Sequence, residues 1–276
     1  MDTESSPTSF TVSQTLRVPL AMRALGDAIF PQLAVQDRYA REALAALGDD
    51  GSRWMKSRAI VYGVLSRTRI FRDLARAFLA EHPAAQVVNL GCGLSQYFQW
   101  FDNGQAQMLN ADLPEVIDWR VKVFAKASVG ERERDAVFDL SEPGWWDRLG
   151  LPSAPDGEPV FLLSEGVLMY LSPEQVAAVF REFGERAPAG SVFAFDALWW
   201  RSVGQPAAGQ RAADVGEVQY CWGLRRPRDL TAEHERLRLG EIHTVMRGYS
   251  LLLSLANGLC RCVFGVPLYA VYTLRV

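Results

Sequence analysis

At 276 residues, with 49% hydrophobic and 22% charged residues, the chain has the composition of a globular protein able to bury a substantial core. Its formal charge of −3 lacks the basic excess of a dedicated nucleic-acid binder, so small molecules or proteins are the expected partners. The four cysteines, Cys92, Cys221, Cys260 and Cys262, show no CxxC spacing, which points away from metal and disulfides and toward reduced thiols in a cytoplasmic protein.

The chain opens on MDTESSPTSF, without the cationic flank and apolar run of a secretory leader. Residues 32–47 and 54–79 then read as helices, and residues 1–84 as a helical arm and cap. The next residues, 87–90 (VVNL), read as a strand that runs into Gly91-Cys92-Gly93. Two glycines one residue apart at a strand end let a ligand approach bare backbone.

Apolar bursts alternate with helical patterns from there on, as in a parallel sheet covered by helices. Residues 107–111 (QMLNA) form a second strand, and Pro114 opens a helix through EVIDWRVKVFAKA. Residues 136–139 are the expected third strand, with the charged run ERERD (131–135) as a solvated turn before it. The fourth strand is 159–164 (PVFLLS), followed by a helix capped by Ser172 with Pro173 at its first position. Residues 191–196 (SVFAFD) are the fifth, closing a core over 85–198.

The rhythm breaks after residue 198. Glycines, prolines and the aromatics Trp199, Trp200, Tyr220 and Trp222 mark an insertion or lid over 199–230. Residues 231–276 complete the core with strands at 237–245 and 268–275. The apolar stretch 249–272 is broken by Asn257, Arg261, glycine and proline, so a buried helix over about 248–262 is expected in place of a membrane span, and no membrane partner.

Ligands of an open parallel sheet bind at the carboxyl ends of its strands. The residues there are Gly91 and Gly93, then Asp112, Asp139, Glu165 and Asp196. Asp112 lies 19 residues beyond Gly93, the spacing of a ribose-binding acid. The third glycine of the dinucleotide fingerprint is missing, which disfavours a pyrophosphate and a nicotinamide dehydrogenase. A nucleoside without pyrophosphate fits better: S-adenosylmethionine, with ribose at Asp112, adenine near Asp139 and Leu140, and the cationic amine at Glu165.

Beyond the glycine turn, the chain resembles the leucine carboxyl methyltransferase family, with its bacterial polyketide O-methyltransferase branch. The resemblance runs through VVNLGCG, ADLPEVIDWR (111–120), VFDLSEP (137–143) and LLSEGVLMYLSPEQV (162–176), with VSQTLRVPLAMRAL (12–25) matching the amino-terminal arm. It implies a Rossmann-like class I methyltransferase with a mostly parallel seven-stranded sheet. It also implies methyl transfer from S-adenosylmethionine, leaving S-adenosylhomocysteine, to a carboxylate or hydroxyl oxygen of a small metabolite.

The cofactor-binding set implied is Arg67, Asn89, Gly91, Cys92, Gly93, Asp112, Leu113, Asp139, Leu140 and Glu165. Arg69 competes with Arg67 for the methionine carboxylate. Tyr170, Tyr62 and Thr15 are the candidates for positioning the acceptor, whereas His82, His234 and His243 lack partners that would make them a base. The chain departs from the family at Ser95-Gln96, where an Asp-Thr pair is usual, and in the 199–228 segment. Two alternatives follow: a carboxyl methyltransferase acting on a protein or peptide C-terminus, and a catalytically weak regulatory protein that keeps the cofactor site.

Overall fold

The computed structural model describes residues 7–125, 130–207 and 218–276, with side chains from residue 16 onward. Its seven strands are β1 (Gln86–Leu90), β2 (Gln107–Asp112), β3 (Glu133–Val137), β4 (Phe161–Ser164), β5 (Val192–Leu198), β6 (Arg238–Thr244) and β7 (Tyr269–Arg275). They form one sheet in the order β3-β2-β1-β4-β5-β7-β6, parallel except for β7, which runs antiparallel to both neighbours. The helices are α1 (Pro7–Leu25), α2 (Ala40–Ala46), α3 (Arg58–Glu81), α4 (Phe98–Phe101), α5 (Pro114–Val123), α6 (Trp145–Arg148), α7 (Pro173–Arg186) and α8 (Leu251–Phe264).

The sheet is buried on both faces. Val88, Leu90, Leu162 and Phe193 pack into one core with α6 and α7, while Val87, Phe161, Leu163 and Ala194 pack into another against α3 and α4. Such double burial explains why the central strands read as continuous apolar runs. A third cluster joins α1 to α2 through Leu20, Ala21, Ala43 and Leu44. The start of α7 is a full capping box: Ser172 Oγ accepts from Gln175 N, and the Gln175 side chain accepts from Ser172 N.

Several elements differ from the sequence expectation. The helix expected over 32–47 is reduced to α2, because Asp27 accepts from the backbone of Val35 and Gln36, and Asp37 caps Tyr39 and Ala40. The helix expected from residue 54 starts at Arg58, where Ser57 supplies the cap and Trp54 belongs to a short 3-10 turn. Glu133, Arg134 and Asp135 are strand residues of β3 and no solvated turn; as an edge strand, β3 tolerates their charge.

The largest correction concerns α8. It is no buried helix: Leu251 and Leu252 are 78% and 79% exposed, and Asn257 is its one buried residue. Ser250 caps its start, and Gly265, at φ 77°, ends it. It connects β6 to β7 and is tied back through Asn257, whose Oδ1 accepts from Leu268 N at 3.0 Å, and through Phe264 against Trp199, which leaves its leucine row facing outward.

Candidate active site

One cavity of roughly 570 Å³ opens at the carboxyl ends of the parallel strands. Gly91 to Ser95 line it after β1, Asp112 and Leu113 at the end of β2, Phe138 to Leu140 beyond β3, and Glu165 to Val167 after β4. Leu198, the last residue of β5, and Tyr269, the first of the reversed β7, meet it from the other side. Helix α1 contributes Leu16, Val18 and Pro19.

At the glycine turn, Gly91 and Gly93 have φ of 71° and 50°, in the left-handed region that glycine adopts without a Cβ penalty. A Cβ on Gly91 would stand 2.3 Å from Val167 Cγ2, so the loop after β4 packs directly on the turn. Asp112 fixes the turn from the next strand: its Oδ2 accepts from Gly93 N at 2.7 Å and its Oδ1 from Leu113 N at 2.8 Å. Burial pushes the Asp112 carboxyl above its ordinary pKa, against these two N–H groups. Beyond β3, Asp139 accepts from Ser141 N, and Leu140 is buried against the cavity wall.

The opposite end is a charged network. Arg67 Nε donates to Glu165 Oε1 at 2.7 Å, and Tyr97 Oη donates to Glu165 Oε2 at 2.5 Å. Arg67 Nη1 donates to Tyr269 Oη at 2.8 Å and lies 3.3 Å from Asp196 Oδ2. Tyr269 Oη in turn donates to Asp196 Oδ2, and Asp196 Oδ1 accepts from Gly166 N at 2.6 Å. Burial works against the charge on Arg67, but Tyr269, Glu165 and Asp196 hold its pKa above the ordinary value. Burial also raises the phenol pKa of Tyr97 and Tyr269, which keeps both protonated as donors. Arg67 Nη2 has no partner among the described residues.

Of the two arginines considered, Arg67 lines the cavity, while Arg69 turns away to the carbonyl of Gln32. Gly91, Cys92, Gly93, Asp112, Leu113, Asp139, Leu140 and Glu165 all come together there. Asn89 does not: its amide sits behind the turn and donates to Ser95 Oγ at 3.0 Å. Tyr62 is also absent from the lining, since its hydroxyl donates to the Arg247 carbonyl and its ring packs edge-on against Phe30 and Tyr249. Tyr170 is present, 36% exposed, with its ring 5.8 Å from that of Tyr220. The Thr15 side chain lies outside the described residues, although its neighbour Leu16 reaches the cavity.

None of the three histidines lines this space, nor do Trp199 and Trp200, which pack on each other and, through Trp199, on Phe264. Ser95 and Gln96, where the chain departs from the family pattern, are both buried over Arg120. That guanidinium donates to the Gly93 and Ser95 carbonyls at 2.9 and 2.7 Å and meets its carboxylate in Asp135, 3.3 Å away on β3. Arg120 thus ties the turn after β1 to β3, two strands away in the sheet.

Sequence reasoning missed Tyr97 and Tyr269, and placed Tyr220 in the lid without a role of its own. The reversal of β7 places its first residue at the ligand edge, a signal that alternation of strands and helices does not carry. Asp196 stood at a strand end, yet nothing local marks it as the partner of Arg67.

The 3-2-1-4-5-7-6 order with its reversed seventh strand, and a glycine turn faced by strand-end acids, define a Rossmann-like methyltransferase that uses S-adenosylmethionine. The sequence profile described as leucine carboxyl methyltransferase matches residues 13–184, and the chain belongs to that family. Among curated proteins, it is 29% identical over 231 residues to the tetracenomycin polyketide synthesis O-methyltransferase TcmP of Streptomyces glaucescens, covering 83% of this chain and 82% of that protein. It is 24% identical over 258 residues to the S-adenosyl-L-methionine-dependent methyltransferase dpfgK of Gibberella zeae, covering 87% and 84%. Among solved structures, a DUF574 family protein from Streptomyces avermitilis aligns with a TM-score of 0.52 at 17% identity, over 85% of this chain and 95% of that one. Geranyl diphosphate methyltransferase in complex with SAM aligns at 0.50 and 15%, over 84% and 94%. At these identities the structures speak for the fold.

Proposed function

We propose that this methyltransferase transfers the methyl group to a carboxylate or hydroxyl oxygen of a small, largely apolar metabolite. The observation that carries the reading is the make-up of a single cavity. Its lining combines the charged Asp112, Asp139, Glu165 and Arg67 with Met169, Tyr170, Leu198, Ala207, Val218 and Tyr220. Cavities of roughly 300–1,000 Å³ suit small ligands.

The residues fit S-adenosylmethionine. The glycine turn at Gly91 and Gly93 lines the cavity with backbone, Asp112 would accept the ribose hydroxyls, and Asp139 and Leu140 would border the adenine. Glu165 faces the methionine amine, and Arg67 offers Nη2 to its carboxylate. When bound, this cofactor supplies an electrophilic methyl on a sulfonium. The chain's work is to hold an acceptor oxygen in line with that methyl and to exclude water, which requires positioning more than acid–base chemistry.

Among the described residues the lining contains no histidine or lysine, so an acceptor that is already ionised is favoured. Tyr170, whose pKa burial raises, remains a neutral phenol able to donate to it. The name of the Streptomyces glaucescens relative supports oxygen as the acceptor atom. Roofing by α1 and by Ala207, Val218 and Tyr220 favours a small molecule over a protein C-terminus.

Calorimetry with S-adenosylhomocysteine tests the cofactor site. Incubation with aromatic carboxylic acids and phenols, followed by mild base, tests the acceptor: methyl esters hydrolyse and methyl ethers survive. Absence of S-adenosylhomocysteine binding would overturn the reading.

A further inference from the structure

Two features take no part in the site: the apolar helix α8 and the arginines around its two ends. Leu251, Leu252, Leu255, Leu259 and Val263 are 61% to 79% exposed, a row at helical spacing along a helix about 21 Å long. Soluble surfaces rarely keep so continuous a row of large apolar side chains without a use.

The charge around this helix has one sign. From Met246 to Leu268 there is no acidic residue, and the two charged residues are Arg247 and Arg261, both exposed. Beyond the helix, Gly265 abuts Pro227, which sits between the exposed Arg226 and Arg228. Phe264 packs on Trp199 with the rings tilted, 5.3 Å between centroids, and Arg201 and Arg225 both lie over the ring of the partly exposed Trp200. None of these six arginines pairs with an acidic side chain among the described residues. The nearest acid in sequence, Asp229, is engaged by the backbone N–H of Arg226.

We infer that α8 and its arginine collar seat the protein on the surface of an anionic lipid bilayer. An interfacial helix presents an apolar face that sinks about 5–10 Å into the headgroup boundary, with cations for the lipid phosphates and an aromatic at the edge. No described helix is long and apolar enough to cross a membrane, and none needs to. A second copy of the chain fits less well. Two crossed helices of this length bury on the order of a few hundred Å² each, against about 800 Å² per partner in a standard interface, and a two-fold contact would bring like charges together.

Met246 precedes α8 by five residues and Tyr269 follows it by five, and both line the cavity. Short segments thus join both ends of α8 to residues of the cavity wall.

Flotation of the full chain with vesicles tests this. Phosphatidylcholine mixed with phosphatidylglycerol is expected to carry the protein at low salt at least tenfold better than phosphatidylcholine alone, and high salt should release it. Leu255→Glu with Leu259→Glu should reduce binding at least tenfold, and Arg225→Ala about fivefold. Unchanged S-adenosylhomocysteine affinity in these variants shows that they are folded and separates this proposal from the reading of the site. Failure of the wild-type chain to float with the anionic vesicles overturns the proposal, as does wild-type flotation of the double glutamate variant. A wild-type dimer in sedimentation velocity that this variant converts to monomer, without lipid binding by either, assigns the face to a second copy instead.

Discussion

Arg67 Nε donates to Glu165 Oε1 at 2.7 Å, joining two residues 98 positions apart at one end of the cavity. The pair is mostly buried, with side-chain exposures of 14% and 7%, and each member keeps further partners in Asp196, Tyr269 and Tyr97. On the function proposed above, this pair would face the amine and carboxylate of the cofactor's amino-acid end.

Glu165→Gln keeps the side-chain shape and removes the charge. S-adenosylhomocysteine affinity is expected to fall about tenfold to a hundredfold, the value of a hydrogen bond to a charged group. Thermal stability should fall as well, because Arg67 is left buried with less counter-charge. Arg67→Lys should not substitute, since an ammonium cannot address three acceptors in the fixed fork of a guanidinium. Calorimetry and thermal unfolding check both, and unchanged affinity in Glu165→Gln removes Glu165 from the site.

A pH dependence follows from Asp112. Burial raises its pKa, so it gains a proton at a higher pH than an ordinary aspartate, near 4. Only the ionised form can accept from Gly93 N, Leu113 N and a ribose diol together. Affinity for S-adenosylhomocysteine should be level near neutrality and decline on acidification, by up to about tenfold per pH unit below that pKa. Asp112→Asn should bind weakly at every pH and lose this share of the slope. Titrations of both proteins from pH 7.5 to 4.5, a range of about three units, decide it; parallel profiles would sink the assignment.

These two acids also mark how far the sequence was legible. Gly91, Gly93, Asp112, Asp139 and Glu165 stand at the ends of successive apolar bursts, and a parallel sheet collects strand ends by topology alone. Asn89 and Tyr62 went astray because nearness in sequence to a site does not fix which way a side chain faces. Tyr269 was hidden by the antiparallel sense of β7, which no local pattern announces. The exposure of α8 was equally hidden. A helix with an apolar face reads the same whether that face is buried or exposed.

Gly91 carries a steric prediction. Alanine there would place its Cβ 2.3 Å from Val167 Cγ2 while holding φ near 71°. Both penalties apply, the overlap and the left-handed backbone, so a loss of about 2–4 kcal/mol is expected. Val167→Ala in the same chain should recover part of this, since it removes the clashing methyl and leaves the backbone strain. Denaturant unfolding of the single and double variants gives the coupling. Full additivity would mean that the turn and the loop after β4 are not in contact.

Asp49 tests how the roof of the cavity is fastened. Its Oδ2 accepts from Trp54 Nε1 and Arg53 Nη2 at 2.9 Å and from Arg17 Nη1 at 3.3 Å, while its Oδ1 accepts from Gly51 N at 2.8 Å. Burial opposes the charge, but these four donors bring the pKa down to about 2. Between that value and the unfolded value near 4, the unfolded chain binds the extra proton, so stability rises with pH there. The contribution, on the order of 2 kcal/mol, is complete above the unfolded pKa and is lost as pH falls through about 2. Asp49→Asn should therefore be less stable than wild type at neutral pH, with the difference shrinking under acid. Arg17 lies on α1 between Leu16 and Val18, both in the cavity wall, so loosening its anchor should also weaken S-adenosylhomocysteine binding. A variant that loses stability yet binds as tightly as wild type would show that α1 holds its place over the cavity without this clasp.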